Sequence, residues 1–283
     1  MKIVQIIGGL GNQMFQYACY KALEKDFTEV KADLNGFKTY KVHNGFEIEN
    51  IFDIKLNKIS SFSSELHTSK SWLFRKIRRL LNLKGSYKEE TNLFSFDPDM
   101  FSNPKNKYYS GYWQNEKYFI AAEKEIRQAF QFKLPADQKN QETLKQIREK
   151  NSISIHVRRG DYIKDPLLGG LCDQTYYQKA IQLITSKTTS IQFFIFSDDI
   201  DWCKQNLPVE GAEFVSWNKG DSSYIDMQLM STCKHHIIAN SSFSWWGAWL
   251  NENPDKIVIG PKKWMNNTSF DTSTLLPATW IKL

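Results

Sequence analysis

Long apolar runs are absent from this sequence of 283 residues. The first apolar run, residues 3–7, is interrupted by Gln5 and is too short for the core of a signal peptide. No stretch approaches the ~18 consecutive apolar residues that a membrane-spanning helix needs. The sequence therefore predicts a cytoplasmic protein that is at most peripheral to a membrane.

Closely spaced cysteines are also absent. The four cysteines, Cys19, Cys172, Cys203 and Cys233, lie far apart, and none belongs to a C-x-x-C motif. This spacing is typical of reduced, buried thiols rather than of disulfides or zinc ligands. It fits a reducing compartment.

The sequence also has no strong excess of positive or negative charge. The chain has 37 basic and 31 acidic residues, and the net charge of +6 is spread thinly. A nucleic-acid-binding module would interleave basic and aromatic residues along one surface. The basic residues instead cluster mainly at 75–79, so this alternative is not favoured. With 41% hydrophobic residues, the chain can bury the core of one large domain or two smaller ones.

Strand and helix patterns alternate along the chain. The first half predicts a strand at 2–7, a tight loop at 8–11, a helix at 13–25 with Asn12 as N-cap, and a strand at 29–33, after which periodicity is lost until about residue 107. The second half predicts strands at 153–157, 192–196, 213–217, 236–239 and 256–259, with helical stretches between them. Such alternation is typical of a parallel sheet with helices on both faces. A charged, glutamine-rich helix at 135–150 divides the chain into predicted α/β domains 1–140 and 141–283.

Polar clusters follow three of the predicted strands. In an open parallel sheet, ligands bind outside the carboxyl ends of the strands, so these clusters are expected on one edge of the sheet. The clusters are His156, Arg158, Arg159 and Asp161; Asp198 and Asp199; and Asn240, Ser241, Ser242 and Phe243.

The chemistry of these residues points to a nucleotide sugar. Arginine presents a rigid fork of donors to phosphate, and a helix N-terminus beside serine hydroxyls binds anions. Carboxylates and asparagine contact sugar hydroxyls. Donors aimed at a leaving phosphate lower the barrier to cleaving a sugar–diphosphate bond, which makes Arg158 the first candidate. The alternatives are a surface ion pair for the two arginines and a simple helix N-cap for Asp199.

A metal could also neutralise a leaving diphosphate. Asp97 and Asp99, and likewise Asp199 and Asp201, have the D-x-D spacing that can bind Mn²⁺ or Mg²⁺. So short a pattern is weak in a chain with 31 acidic residues. A site without metal or cofactor is therefore expected.

Together with the segment GGLGNQMFQYA at residues 8–18, the three clusters resemble glycosyltransferase family 11, the α-1,2-fucosyltransferases of bacterial type. The matching motifs span 8–18 and 155–260, whereas 40–110 matches no motif. The resemblance implies a GT-B-like pair of Rossmann-type domains and inverting, metal-independent transfer from GDP-β-L-fucose to a galactose 2-hydroxyl, as in O-antigen or glycan biosynthesis. The acceptor would be a galactose-terminated oligosaccharide or a lipid-linked glycan. Domain 1–140 would lie on the acceptor side, and domain 141–283 would bind GDP-fucose.

The resemblance also implies roles for individual residues. Arg158 would bind the donor diphosphate with support from His156 and Asp161. Asp226, which by pattern alone is an exposed helix residue, would recognise guanine. Asn12 would lie near the transferred sugar. The remaining predicted donor-binding residues are Arg159, Asp198, Asn240, Ser241, Ser242 and Phe243.

Several alternatives stay open from the sequence. Gly9 and Gly11 after a strand, with Asp33 about twenty residues further on, resemble a dinucleotide-binding loop, although Met14 replaces its third glycine. Residues 159–161 form an Arg-Gly-Asp triplet, which suggests an adhesion module. A different fucosyl linkage is a further alternative. The base that accepts the acceptor proton is also open among Asp161, Asp33 and His43.

One segment suggests a membrane surface. Residues 70–84 place apolar side chains on one helical face, and basic side chains cluster on the other. Such a helix either lies on anionic lipid or packs as an ordinary amphipathic helix on its own domain. The apolar residues are Leu73, Ile77, Leu80 and Leu81, and the basic ones are Arg75, Lys76, Arg78 and Arg79.

Overall fold

The computed structural model describes residues 1–40 and 42–283. These residues form two compact units, Met1–Gln131 and Phe132–Leu283. The division comes before the predicted boundary at residue 140. That residue lies within the glutamine-rich helix, Gln138–Glu149, which belongs entirely to the second unit because its apolar side packs into that unit's core.

The first unit contains a parallel sheet with helices and 3₁₀ turns around it. Its helices and strands are β1 (Lys2–Gln5), α1 (Leu10–Asp26), β2 (Val30–Asp33), α2 (Ile48–Ile51), α3 (Ser61–Thr68), α4 (Trp72–Leu80), β3 (Tyr87–Glu89), α5 (Asp99–Ser102), β4 (Lys107–Ser110) and α6 (Glu123–Ala129). The strands lie in the order β2-β1-β4-β3, and every pairing is parallel.

Helix α1 begins earlier than the sequence predicted. Gly8 has a φ of +95°, which turns the chain directly out of β1, and Gly9 is the N-cap in an extended conformation. The predicted N-cap role of Asn12 is therefore wrong, because Asn12 already lies in the first turn. Glycine is suited to this turn, since a side chain at position 8 would be strained at positive φ and would crowd Asn12.

The second unit has the more regular sheet. Its helices and strands are α7 (Gln138–Glu149), β5 (Asn151–Val157), α8 (Gln174–Thr185), β6 (Ile191–Ser197), α9 (Ile200–Asn206), β7 (Glu213–Val215), α10 (Tyr224–Thr232), β8 (His235–Ile237), α11 (Ser242–Leu250), β9 (Val258–Gly260) and β10 (Ile281–Lys282). The order β10-β9-β8-β5-β6-β7 is that of a Rossmann sheet, with all neighbours parallel. The predicted fold class, α/β with two Rossmann-type domains, is confirmed.

Alternate residues of the central strands pack on opposite faces of this sheet. Ile153 and Ile155 of β5 belong to a core with α8, whereas Phe194 and Phe196 of β6 belong to a core with α7 and α10. His156 pairs in register with Phe196 and so points to the second of these faces. The sheet therefore directs the His156 side chain away from α8.

The structure bears on two predictions made from the sequence, the state of the cysteines and the lack of a membrane-spanning helix. All four cysteines are free and buried, which confirms the prediction of buried thiols. Within residues 1–40 and 42–283, no helix has the length and apolar character needed to cross a bilayer.

Candidate functional site

The candidate site lies where the strand order of the second sheet reverses. From β5 the chain builds β6 and β7 on one side and then returns to place β8 on the other side of β5. Loops that leave two adjacent strands in opposite directions open a crevice at their carboxyl ends. The loop after β5 carries Arg158, and the loop after β8 carries Ser241, so two of the three predicted clusters border this crevice.

Two carboxylates fix the guanidinium group of Arg158. Its Nη2 lies 2.9 Å from Asp161 Oδ1, and its Nη1 lies 3.2 Å from Asp198 Oδ2. The side chain is still 30% exposed, so part of the fork faces solvent. The structure thus presents a pre-oriented set of cationic donors at the end of β5.

The loop after β5 lies against Asp198 because residue 160 has no side chain. The other carboxylate oxygen of Asp198, Oδ1, accepts a hydrogen bond from the backbone N–H of Arg159 at 2.9 Å. A Cβ at Gly160 would lie 2.8 Å from Asp198 Oδ2, the oxygen that pairs with Arg158. Gly160 therefore permits the contact that orients Arg158.

Arg159 is packed on helix α9. Its Nε donates to Asp199 Oδ2 at 3.0 Å, and its guanidinium carbon lies 4.2 Å from the centre of the Trp202 ring. Asp199 is also the N-cap of α9, since its Oδ1 accepts from the N–H of Trp202. Asp199 thus combines a cap with an ion pair. Trp202 was not identified from the sequence, where no motif distinguishes it.

The charges of this cluster restrict how an anion can bind. Three carboxylates, Asp161, Asp198 and Asp199, accompany only two guanidinium groups. These carboxylates would repel a phosphate unless one of them moved away from its guanidinium group. Asp161 is the candidate for this exchange because its side chain is 51% exposed.

His156 contributes a polar atom without a partner. Its ring lies 5.7 Å from the Phe243 ring of α11, centre to centre, and its Nδ1 is buried without a hydrogen-bond partner among the described residues. Burial lowers the pKa of His156 to about 4, with Arg158 adding to the shift and Asp198 opposing it. The ring is therefore neutral near pH 7 and carries one N–H. A buried orphan nitrogen at a crevice is a group that a ligand can satisfy.

The N-terminus of α11 is not capped by a side chain. Ser241 is the N-cap, with an extended backbone and no side-chain hydrogen bond, and Ser242 and Phe243 are half-buried. Uncapped N–H groups at a helix start favour an anion. Asn240, by contrast, donates its amide hydrogens to the carbonyls of Leu168 and Trp264, so it ties two loops together.

Asp226 is half-buried in the first turn of α10, not exposed as the pattern suggested. Its Oδ1 accepts from Asn218 Nδ2 at 2.7 Å, and Asn218 is itself bonded to Asn140. Burial raises the pKa of Asp226 to about 7, while the Asn218 hydrogen bond opposes the shift. Asn218 was missed from the sequence because its only signal is this contact across eight residues.

In the first unit, three polar side chains of α1 tie loops to the carboxyl edge of the sheet. Asn12 Oδ1 accepts from Gln114 Nε2 at 2.7 Å, and Gln16 Nε2 donates to the carbonyl of Gly111. Gln13 Nε2 donates to the carbonyls of Gly8 and Gly45. Asn12, Gln13 and Gln16 therefore have a structural function here. Whether Asn12 also contacts a sugar stays a prediction.

Asp33 is unavailable to a ligand. It is 1% exposed, and its two oxygens accept from Ser64, Tyr108 and Asn35. The dinucleotide interpretation is wrong for this reason, and Asp33 is removed as a candidate base. His43 lies against Gly9, where a Cβ would meet its ring at 3.2 Å.

Neither D-x-D pair forms a cation site with other ligands. Asp97 and Asp99 both pair with Lys88, and Asp199 is used by Arg159 and α9. The described part of the chain contains no group of three or more His, Cys, Asp or Glu residues that could bind a metal ion.

Comparison with known proteins agrees with the resemblance noted in the sequence. The chain matches the model of glycosyl transferase family 11 over residues 1–283, and it belongs to this family. It is 34% identical to an α-1,2-colitosyltransferase of Escherichia coli, over 99% of this chain and 98% of that protein. It is 32% identical to the O-antigen biosynthesis glycosyltransferase WbnK of Escherichia coli, over 98% of both chains.

More distant matches include fucosyltransferases. The galactoside α-(1,2)-fucosyltransferase 2 of Rattus norvegicus is 25% identical, over 88% of this chain and 67% of that protein. Among solved structures, NodZ α-1,6-fucosyltransferase soaked with GDP-fucose is 14% identical with a TM-score of 0.49, over 88% of this chain and 91% of that one. The chain is thus a glycosyltransferase, and the relatives named above include an α-1,2-colitosyltransferase and a galactoside α-(1,2)-fucosyltransferase.

Proposed function

We propose that this glycosyltransferase transfers L-fucose from GDP-β-L-fucose to the 2-hydroxyl of a terminal galactose, with inversion at the anomeric carbon. The observation that carries the proposal is the pre-oriented Arg158 fork beside the unpartnered His156 nitrogen at the crevice of the second sheet. The names of the relatives support the α-1,2 linkage and the deoxy-sugar donor.

The diphosphate would bind at Arg158. A phosphate oxygen takes the place of Asp161 on the guanidinium group, which resolves the excess of carboxylates in the cluster. The neutral His156 ring donates its N–H to a second oxygen, and the uncapped start of α11 faces the same charge. Ser241, Ser242 and Phe243 line this side, and Asp198 keeps Arg158 in position.

Asp226 would recognise the guanine base. Guanine presents two adjacent N–H donors on one edge, and an ionised carboxylate accepts both. Asn218 holds one oxygen of Asp226 at 2.7 Å, which leaves the other without a partner among the described residues. The polar chain from Asn140 through Asn218 therefore fixes the orientation of the carboxylate before the base arrives.

In the reaction, the bond between the fucose anomeric carbon and the diphosphate oxygen breaks as the galactose 2-oxygen bonds to the opposite face of that carbon. Negative charge develops on GDP, where Arg158 and His156 stabilise it. The hydroxyl proton leaves the acceptor oxygen. We assign it to Asp161, which is released from Arg158 by the diphosphate, and we assign Asn12 to the transferred sugar.

A second donor deserves a direct comparison, because a relative at 34% identity is an α-1,2-colitosyltransferase. Colitose is L-fucose without the 3-hydroxyl, so both donors would share the same diphosphate and guanine contacts. A pocket built to bond the 3-hydroxyl rejects the deoxy sugar strongly, whereas an apolar pocket does not. The preference between the two donors therefore shows whether the enzyme hydrogen-bonds the 3-hydroxyl of the sugar.

The purified enzyme should therefore be incubated with lactose and either GDP-fucose or GDP-colitose, with and without EDTA. The expected result is a higher kcat/KM for GDP-fucose, an α-1,2-linked product by NMR, and no effect of EDTA. A higher kcat/KM for GDP-colitose would contradict fucose as the transferred sugar. A product with another linkage would contradict the 2-hydroxyl as the acceptor group. Turnover that EDTA abolishes and Mn²⁺ restores would contradict metal independence.

A further inference from the structure

Helix α4 lies on the surface of the first unit with none of its residues buried. Four apolar side chains at or beside it are largely exposed: Trp72 at 68%, Leu73 at 49%, Leu80 at 78% and Leu81 at 55%. Phe62 of α3, which contacts Phe74, is 62% exposed as well. Large apolar side chains grouped in this way mark an interaction surface.

The inner side of α4 is attached to α3. The Phe62 and Phe74 rings lie 5.9 Å apart, and the Arg78 guanidinium donates to the carbonyls of Leu66 and Ser69 at 2.9 and 2.7 Å. Phe74, Ile77 and Arg78 are the less exposed residues of the helix. The ordinary packing of an amphipathic helix is therefore only partly realised, because Leu73 and Leu80 face away from the domain.

The exposed side combines apolar and basic side chains. Leu73, Lys76 and Leu80 follow each other at helical spacings of three and four and form one stripe. Trp72, Arg75 and Arg79 have the same spacings and form the neighbouring stripe. We use "α4 surface" for Phe62, Trp72, Leu73, Arg75, Lys76, Arg79, Leu80 and Leu81.

No acidic residue balances this charge within the segment. Residues 70–84 contain six basic residues and no Asp or Glu. Of the six, only Arg78 is tied to backbone carbonyls, and the ion pairs formed in the described residues involve none of the others. The segment is therefore positively charged, and salt screens its field.

A basic cavity adjoins the C-terminal end of α4. It has a volume of about 380 Å³, and its lining includes Lys84, Lys105 and Lys107 but no acidic residue. Asn82 and Asn106 add amide groups to the lining. Such a lining suits a phosphate headgroup, since each lysine supplies a flexible cationic donor.

We propose that the α4 surface docks on an anionic lipid bilayer. Basic side chains are attracted to anionic headgroups, and the apolar side chains enter the boundary between headgroups and acyl chains. Tryptophan is favoured at this depth. Nucleic acid would match the charge but would leave Leu73, Leu80 and Leu81 exposed to water, so the lipid surface explains both halves of the pattern.

The test is flotation of the full chain with vesicles of phosphatidylcholine, alone or with roughly a third phosphatidylglycerol. One variant combines Arg75→Gln, Lys76→Gln and Arg79→Gln, and a second combines Trp72→Ser, Leu73→Ser and Leu80→Ser. The matched control removes three exposed lysines elsewhere, through Lys150→Gln, Lys179→Gln and Lys187→Gln. All substituted side chains are exposed, and thermal unfolding verifies that each variant folds.

We expect binding only to the anionic vesicles. Neutralisation should cost roughly fivefold per basic residue, or about a hundredfold for the triple variant, and the apolar variant should also bind more weakly. The lysine control should bind like the original chain. Fucosyl transfer to soluble lactose should stay unchanged in the neutralised variant, so this test is independent of the proposed function.

Three results would overturn the proposal. The first is equal binding to neutral and anionic vesicles, or to neither. The second is equal loss in the neutralised variant and the lysine control. The third is tighter binding to a single-stranded DNA oligonucleotide than to vesicles at equal phosphate concentration, which would identify a nucleic-acid surface instead.

Discussion

The Asp226 carboxyl group couples the proposed donor site to pH. Burial raises its pKa to about 7, so the ionised form that accepts the two guanine donors dominates only above that pH. The affinity for GDP should therefore rise between pH 5.5 and 8, by up to about tenfold per pH unit below 7. Isothermal titration calorimetry at a series of pH values measures this change.

Asp226→Asn is the control, because the phosphates of GDP titrate in the same range and contribute equally in both proteins. The variant should bind GDP more weakly at pH 8 and should approach the original chain near pH 5.5. A constant affinity ratio between the two proteins across this range would contradict a guanine contact at Asp226.

Gly160→Ala tests the contact that orients Arg158. The new Cβ would meet Asp198 Oδ2 at 2.8 Å, and Asp198 cannot turn freely because Arg158 and the N–H of Arg159 both hold it. Turnover should fall at least tenfold while stability changes by less than ~1 kcal/mol, since the loop is exposed. Steady-state kinetics and urea unfolding give the two values.

Gly211→Ala is the matched comparison. Gly211 has a φ of +70° and open space at its Cβ position, so alanine there should cost stability without a loss of turnover. If Gly160→Ala behaves in the same way as Gly211→Ala, the glycine at 160 has only a conformational function.

Some residues of the site could be predicted from sequence and others could not. Arg158 and His156 were identified because an apolar strand ends in them, which is a local signal. The partners of Asp226 and Arg159 were not, because Asn218, Asn140 and Trp202 reach them only through the tertiary fold. The sequence identified the two arginines and the three carboxylates, but it did not predict which arginine forms an ion pair with which carboxylate.

At the level of elements, the packing of α10 on α11 depends on Gly247. A Cβ there would lie 2.9 Å from Met230 Cε and 3.2 Å from Met230 Cβ. Gly247→Ala should destabilise the protein by ~1–2 kcal/mol, because the second of these contacts cannot be relieved by rotating the methionine end. Urea unfolding measures the change.

Combining Gly247→Ala with Met230→Ala shows whether the cost arises at this contact. The double variant should lose less free energy of unfolding than the two single changes together, because Met230→Ala removes the contact with Cε and leaves space into which the remaining Cβ can shift away from the new methyl group. If the losses in free energy of unfolding are additive, the destabilisation by Gly247→Ala does not arise from its contact with Met230.

Elements of the second unit were predicted better than those of the first. The strands of the second unit have polar residues or turns at their ends, and each of the five predicted positions contains a strand. In the first unit, α1 is buried on nearly every side from Leu10 to Leu23, so its hydrophobic period is weak. Between β2 and β4, the left-handed residues His43, Asn82 and Phe94 interrupt any regular repeat.

For the whole molecule, burial of the four thiols predicts slow chemical modification. Burial raises the pKa of Cys172 to about 12 and that of Cys203 to about 11, so little thiolate forms at neutral pH. With Ellman's reagent at pH 8, fewer than one thiol per chain should react before unfolding, and all four should react in urea. Rapid reaction of a thiol in the folded protein would contradict the packing described above.

The α/β class and the family were both available from sequence, and the resemblance also implied a function for each domain, which stays a prediction. The polar side chains of α1 that form part of the family motif, Gln13 and Gln16, tie loops to their own sheet. A motif residue can therefore serve the architecture, and only the geometry separates it from one that faces a ligand. We propose that Arg158 belongs to the second kind, because its side chain is 30% exposed at the end of β5.

The most direct measurement is the kcat for transfer of fucose from GDP-fucose to lactose by Arg158→Lys, compared with Arg148→Lys on the exposed side of α7. Lysine keeps the charge but loses the fork that binds two oxygens. We expect kcat to fall by about 10²–10³-fold for Arg158→Lys, with an unchanged Tm, and to stay unchanged for Arg148→Lys. A kcat within threefold of the original enzyme in Arg158→Lys would contradict the proposed stabilisation of the leaving diphosphate.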